Sequence, residues 1–194
     1  MAEPKITMVF FGDSICNGQG CPSNKTFVSL LAEKFEEYAD IYSMSVNGET
    51  TRQALLRLPY NINGIGIDVI VFQYGLNDCN RWDTESGCKR VSDESFWANM
   101  KEMADKARAF GIKQVALMTN HPVDKNTQDV LRYNGYIRQA AEHNGIMLID
   151  IGDIMHGSKN HLTSDGVHLN IDGNKQYYDI ISRRIPEFIR ECLT

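Results

Sequence analysis

A serine hydroxyl is a weak nucleophile until a base takes its proton, and that base must itself be oriented. The chain carries the parts for such chemistry. Ser14 stands in Gly12-Asp13-Ser14-Ile15-Cys16, directly after an apolar run over residues 6–11. His168 follows Asp165 by three positions in Asp165-Gly166-Val167-His168. In a turn entering a helix, that spacing lets the carboxylate reach the imidazole Nδ1–H, which fixes the tautomer and stabilises the imidazolium that forms. The same four residues also read as a plain turn and helix entry. Acyl transfer further requires donors for the oxygen that turns negative, and losing one such donor costs ~3–4 kcal/mol of transition-state stabilisation. Three candidates are the Ser14 N–H, the Gly48 N–H and the Asn77 side-chain amide. Gly48 is equally a turn glycine, and Asn77 equally a loop amide bonded to its own backbone.

These residues are useful only if the fold gathers them. The apolar run at 6–11 predicts a first strand buried on both faces. Helical spacing of Phe27, Leu30, Leu31, Phe35 and Tyr38 predicts a helix over 24–38, capped by Ser23 or Asn24. A short strand is expected over 41–46, and a helix over 50–58 that begins at Thr50 and stops at Pro59. A third strand occupies 68–74, and a polar loop runs on to Arg90. From Ser92 a helix buries Phe96, Met100, Met103, Ala104, Ala107 and Phe110 and ends at Gly111. Strands over 114–118 and 146–149 flank a helix over 126–143. A loop over 150–170 precedes a last helix from 171, which Pro186 kinks or restarts.

Five alternations of strand and helix, with no linker and no repeat, predict one α/β domain over residues 1–194. Its architecture is three layers, α/β/α, around a five-stranded parallel sheet. Right-handed crossovers favour the flavodoxin-like order 2-1-3-4-5, which sets the carboxyl ends of strands one and three side by side at the switch point.

Composition narrows the function. The net charge of -5 gives no basic face for nucleic acid and no attraction to an anionic membrane. No apolar run approaches the ~20 residues of a membrane span. The opening residues 1–5 are too short and polar for a signal peptide, so a cytoplasmic location is expected unless an export signal has been removed. Five cysteines without a Cys-x-x-Cys pair argue against a disulfide framework or zinc site. Cys16 with Cys21, or Cys79 with Cys88, are the conceivable pairs, and reduced thiols are expected.

Taken together, four segments resemble the sequence blocks of the GDSL-type, or SGNH, hydrolases: Gly12-Asp13-Ser14-Ile15-Cys16, Gly48 within Val46-Asn47-Gly48-Glu49-Thr50, Gly75-Leu76-Asn77-Asp78, and Asp165-Gly166-Val167-His168-Leu169-Asn170. The resemblance spans essentially the whole chain. It implies a serine esterase with Ser14 as nucleophile, His168 as general base and Asp165 as its orienting acid. It further implies an oxyanion hole made by Ser14, Gly48 and Asn77, with no metal or organic cofactor. Ile15 stands where the family name has Leu, and Cys16 where Thr or Ser is common. The serine follows the first strand, unlike the Gly-x-Ser-x-Gly elbow of α/β-hydrolases. Asp13 is expected to tie down the serine turn by accepting N–H bonds, and Asp78 to do the same for its own loop.

The polar stretch Asn80, Arg81, Asp83, Glu85, Lys89, Arg90 leans toward a small-molecule ester with a short acyl group, such as acetyl, on a polar alcohol such as a sugar. Lysophospholipase or thioesterase activity on longer chains is the alternative within the resemblance. A flavodoxin-like binding or association module is the alternative outside it. Arg81 and Trp82, which closely follow Asn77-Asp78, are candidates for the acyl or leaving-group pocket, and His121 is a candidate for substrate contact because ligands bind at the carboxyl rim of such sheets. Each also reads as an ordinary loop or turn residue. The oligomeric state is not encoded in any recognisable pattern.

Overall fold

The computed structural model describes residues 5–158 and 160–193; the readings placed on residues 1–4 lie outside them. Parallel strands β1 (Ile6–Gly12), β2 (Ala39–Ser43), β3 (Val69–Gln73), β4 (Gln114–Met118) and β5 (Met147–Ile149) form one sheet in the order β2-β1-β3-β4-β5. The helices are α1 (Ser14–Asn17), α2 (Phe27–Lys34), α3 (Thr51–Ile62), α4 (Leu76–Cys79), α5 (Asp93–Ala109), α6 (Thr127–Asn144), α7 (Ile151–Ile154), α8 (Ile171–Ile181) and α9 (Ile185–Leu193). The fold class and strand order are those expected.

Side-chain alternation along each strand feeds two cores. Val9, Phe11, Ile70, Phe72, Val115 and Leu117 point to a layer formed by α3, α5 and α6, where they meet Leu58, Phe96, Met100, Met103 and Ile137. Met8, Phe10, Val69, Val71, Ala116 and Met118 point to the opposite layer of α2, α8 and α9, with Phe27, Leu31, Tyr177, Ile181 and Phe188. Phe10 and Phe27 meet edge to face at 5.4 Å. Truncating such a buried aromatic to Ala costs about 3–5 kcal/mol.

Register sets the site. Gly12 lies opposite Gln73 in the β1–β3 pairing, so the chain leaves both strands at the same height. A Cβ on Gly12 would sit 2.9 Å from the Gln73 carbonyl oxygen; only glycine allows this approach. Past the end of β2, the Val46 N–H donates to the Gly12 carbonyl, and the Gly12 N–H donates to the Ser45 hydroxyl. The loop that carries Gly48 therefore leaves the sheet beside the serine turn.

Several boundaries differ from expectation. Helix α2 starts at Phe27 behind a Thr26 cap, whose hydroxyl accepts the Ser29 N–H, not behind Ser23 or Asn24. Residues Ser23–Lys25 form a separate 3-10 turn. Strand β2 begins and ends earlier than the 41–46 expected. Pro59 does not stop α3, which runs through it to Ile62; the apolar stripe Ala54, Leu58, Ile62 stays buried on both sides of the proline. Phe110 lies just past the end of α5 and is 42% exposed, so it is not core. Pro186 falls in the first turn of α9, where its missing N–H costs little, so it restarts the helix. All five cysteines are free thiols.

Candidate active site

Ser14 is the first residue of α1. Asp13 caps that short helix, its Oδ1 accepting the Ile15 N–H at 2.9 Å, while Gly18 closes it in the left-handed conformation. The Asp13 carboxyl thus takes the Ile15 N–H at the start of this helix, where a bound anion would compete for it. The Ser14 Oγ lies 2.9 Å from the His168 Nε2. The His168 Nδ1 lies 2.7 Å from the Asp165 Oδ2. The other Asp165 oxygen accepts the backbone N–H groups of Val167 and His168, at 2.8 and 2.9 Å. With Nδ1–H donated to a carboxylate, Nε2 is left as the acceptor that faces the serine. Partial burial alone would raise the Asp165 pKa, but the His168 bond and the two backbone bonds outweigh it and hold the carboxyl well below its usual range. Asp165 is thus held in its ionised form at neutral pH.

Asn77, in α4, donates from Nδ2 to the Asp13 Oδ2 at 3.1 Å. Asp13 therefore does more than hold the serine turn: it joins Ser14's helix to the Asn77 amide and fixes which way that amide faces. The group is fully buried, and this burial, reinforced by Asp78, pushes its pKa up to about 7 despite the Ile15, Gln73 and Asn77 bonds. The sign follows from linkage. A carboxyl with a folded pKa near 7 and an unfolded value near ~4 binds an extra proton in the native state between those limits. Stability contributed by its neutral form is full below about pH 4 and lost as pH rises through 7. Asp13→Asn is expected to flatten this loss by on the order of 1 kcal/mol per pH unit. Urea unfolding of both proteins at pH 5 and pH 8 checks it; an unchanged difference between the two pH values refutes it.

Gly48 adopts φ +75°, the left-handed region its type permits. Its loop is tied to the serine helix by a bond from Asn17 Nδ2 to Asn47 Oδ1 at 2.7 Å. Asp78 reaches further than its own loop: its buried carboxylate accepts both the N–H and the hydroxyl of Thr51 at the start of α3.

A cleft of about 280 Å³ brings Ser14, Asn77, Asp165 and His168 together. Its apolar lining is Leu76, Cys79, Val123, Val130 and Val167, and its remaining polar lining is Asn80, Lys125 and Asn126. Gly48 is not part of this lining; its loop runs beside the serine turn. The three substrate-contact candidates lie elsewhere. Arg81 is turned to Asp129 and the Gly87 carbonyl. The Trp82 ring lies beneath the Arg90 guanidinium, 3.9 Å from ring centroid to Cζ. His121 is fully buried: its Nδ1 accepts from the Tyr177 hydroxyl at 2.7 Å, and its Nε2–H donates to the Val167 carbonyl at 2.8 Å. Burial drives its pKa down to about 4, so the ring is neutral and braces the backbone next to His168 without entering the cleft. Sequence reading missed Lys125 and Asn126, because nothing in Val123-Asp124-Lys125-Asn126 marks a rim before the loop is folded. The expectation that ligands bind beyond β4 was the available signal, and it pointed to the right loop but the wrong residue.

Among the described residues, no group of His, Cys, Asp and Glu is placed to hold a metal ion, and no helix is long and apolar enough to cross a membrane.

Comparison with known proteins gives a consistent result. The model of the GDSL-like lipase/acylhydrolase family matches residues 10–176. The arylesterase of Vibrio mimicus is 22% identical over 145 residues, 73% of this chain and 68% of its own length. Thioesterase 1/protease 1/lysophospholipase L1 of Escherichia coli is 19% identical over 188 residues, 94% of this chain and 85% of its own. Among solved structures, the acetyl xylan esterase AlAXEase superposes with a TM-score of 0.80 at 24% identity, over 93% of this chain and 100% of that one.

Proposed function

The chain belongs to the GDSL-like lipase/acylhydrolase family, whose members are carboxylic-ester hydrolases, and on that premise we propose that it cleaves a short acyl group, such as acetyl, from a polar alcohol such as a carbohydrate, with Ser14, His168 and Asp165 as the catalytic residues. The observation that carries the catalytic part is the continuous pair of hydrogen bonds from Asp165 through His168 to Ser14, which lies 154 positions from His168 in the chain. Such a relay has no structural use that a simpler contact would not serve.

In this reading the Ser14 Oγ attacks the ester carbonyl carbon while its proton passes to the His168 Nε2. The carbonyl oxygen becomes an oxyanion held by the N–H groups of Ser14 and Gly48 and by the Asn77 amide. Collapse breaks the carbon–oxygen bond to the alcohol, which takes the proton from His168 and leaves. Water then attacks the acyl-enzyme, its proton going to His168, and the free acid departs as Ser14 regains its hydrogen. Asp165 keeps Nδ1–H in place throughout and stabilises the imidazolium at both stages.

Support for a short acyl group comes from size and lining. The cleft volume of about 280 Å³ falls at the lower edge of the ~300–1,000 Å³ usual for ligand sites. Its apolar part is Leu76, Cys79 and three valines, with no aromatic or long aliphatic surface beyond them, and Asn80, Lys125 and Asn126 close the rest. The neighbour named as an acetyl xylan esterase supports the same substrate class.

A chain-length series of p-nitrophenyl esters, run beside acetylated sugars, tests the substrate. Acetate and butyrate esters are expected to give kcat/KM values at least ~10-fold above the octanoate, since roughly 1–3 kcal/mol separates acyl groups that fit from those that do not. A preference for acyl chains of eight carbons or more overturns the short-acyl reading and favours the thioesterase or lysophospholipase side of the family.

A further inference from the structure

Gly48 is an unusual donor to trust with an oxyanion. It has no side chain, it adopts φ +75°, and a Cβ built on it would meet nothing within 4 Å. Packing therefore does little to hold its peptide, and hydrogen bonds must fix its orientation. The residue before it is tied by the Asn17–Asn47 bond. The residue after it is tied more firmly: Arg57 grips the Glu49 carboxylate with two N–H groups, each at 2.6 Å, and the Tyr74 hydroxyl adds a third bond at 2.7 Å. Between these anchors the Gly48 carbonyl accepts a bond at 2.8 Å from the Arg90 Nη1, which arrives from a different segment, between α4 and α5.

Arg90 is itself held for this task. Its guanidinium stacks on Trp82, and its N–H closes the loop by donating to the Asn80 carbonyl at 3.2 Å. The adjacent Lys89 is pinned to Asp93 and Asp129, and Arg81 across the loop reaches Asp129 as well. The stretch that reads in sequence as a solvated, charged loop is therefore a braced arm. A planar guanidinium stacked on one face and bonded through one edge has little freedom left.

We propose that Arg90 is the positioning residue of the oxyanion hole. By fixing the Gly48 carbonyl it anchors the peptide that follows Gly48, and so limits how far the Gly48 Cα, and the N–H of the preceding peptide with it, can drift from the developing oxyanion. Trp82 serves Arg90 rather than the substrate. This inference rests on the assignment of Ser14 as nucleophile and of the Gly48 N–H as an oxyanion donor.

Steady-state hydrolysis of p-nitrophenyl acetate tests it, with thermal unfolding of each variant as the fold control. Arg90→Gln is expected to lower kcat roughly 10- to 100-fold with KM within about twofold, because the loss falls on the transition state. Arg90→Lys keeps a donor but not the stacked fork and recovers part of the rate, and added methylguanidinium does the same for Arg90→Gln. Trp82→Ala, which leaves the guanidinium present but unsupported, shows a smaller loss in kcat and serves if Arg90→Gln fails to fold. In a Gly48→Ala background, Arg90→Gln costs less than about twofold, since both changes disable one donor. The proposal is overturned by an unchanged kcat in folded Arg90→Gln, by a loss carried in KM, or by losses that multiply in the double variant. A folded Ser14→Ala control run alongside separates the two levels: if it keeps wild-type turnover, the underlying assignment fails, whereas an inactive control with a fully active Arg90→Gln defeats only the role of Arg90.

Discussion

Ser14→Ala is expected to lower kcat for p-nitrophenyl acetate by roughly 10⁴-fold or more while leaving the thermal unfolding midpoint within a few degrees of wild type. The size of the effect follows from the chemistry. Without Oγ there is no covalent intermediate, and the residual rate is what the oxyanion donors and binding alone supply; removing the nucleophile from a comparable serine enzyme costs ~10⁶. The small effect on stability follows from the structure. The Ser14 side chain makes its bond to the His168 Nε2, whereas the helix it begins is held by Asp13 and by the backbone bonds from Asn17 and Gly18. Loss of one partly buried hydroxyl is worth about 1 kcal/mol. Fluorophosphonate labelling gives an independent readout: the wild type is labelled and Ser14→Ala is not. Retained turnover or retained labelling in the variant removes Ser14 from the mechanism.

Asp165→Asn is expected to lower kcat by roughly 10³- to 10⁴-fold, although only one oxygen is exchanged for an amide. The Asp165 carboxylate accepts three N–H groups: two from the backbone of Val167 and His168, and one from the His168 Nδ1. An asparagine can keep its oxygen on the backbone pair. Its NH₂ then faces Nδ1, which can no longer be the protonated nitrogen. The ring must take the other tautomer, with the hydrogen on Nε2, and a nitrogen that carries a hydrogen cannot accept the Ser14 proton. The variant tests tautomer control separately from the loss of the group, because Asp165→Ala would also leave the two backbone N–H groups unbonded. The discriminating measurement is kcat against KM, with KM staying within about threefold. If Asp165→Asn keeps more than a tenth of wild-type kcat, the carboxylate is a loop brace and His168 is oriented by something else.

How much of this was legible before the structure depended on which physical signal each feature emits. The continuous apolar runs of β1, β3 and β4 emit a strong one, since a strand buried on both faces has no other way to be written. Ser14, Asn77, Asp165 and His168 stand at strand ends or a helix entry, and all four were readable as candidates. What failed was whatever depends on approach between segments. Helices α1 and α4 are a single turn each, too short to show a period. Pro59 looked like a stop because its missing N–H is visible in sequence, whereas the burial of Leu58 and Ile62 that carries the helix past it is not. Phe110 fitted the helical stripe of α5 by spacing and left it by one residue of helix length. His121 was placed at the correct end of the sheet, yet its ring turns inward to Tyr177 and Val167 because the loop carrying His168 lies over it. Arg90 gave no sign of its partner, since the Gly48 carbonyl it reaches lies 42 positions away.

The separation of the two halves of the relay has a consequence for how the protein is made. On the proposed assignment, the nucleophile and its three oxyanion donors are encoded by residue 77, just past the third strand of the sheet. The base arrives only at residue 168, after β4 and β5 have been added at the far edge. A growing polypeptide therefore carries a serine without a proton acceptor through most of its synthesis. On that assignment, an N-terminal fragment that stops short of Asp165 is expected to lack esterase activity, however well its first strands pair. Chemical competence is then expected late and in one step, its appearance reporting that the segment from α7 to α8 has closed over the sheet.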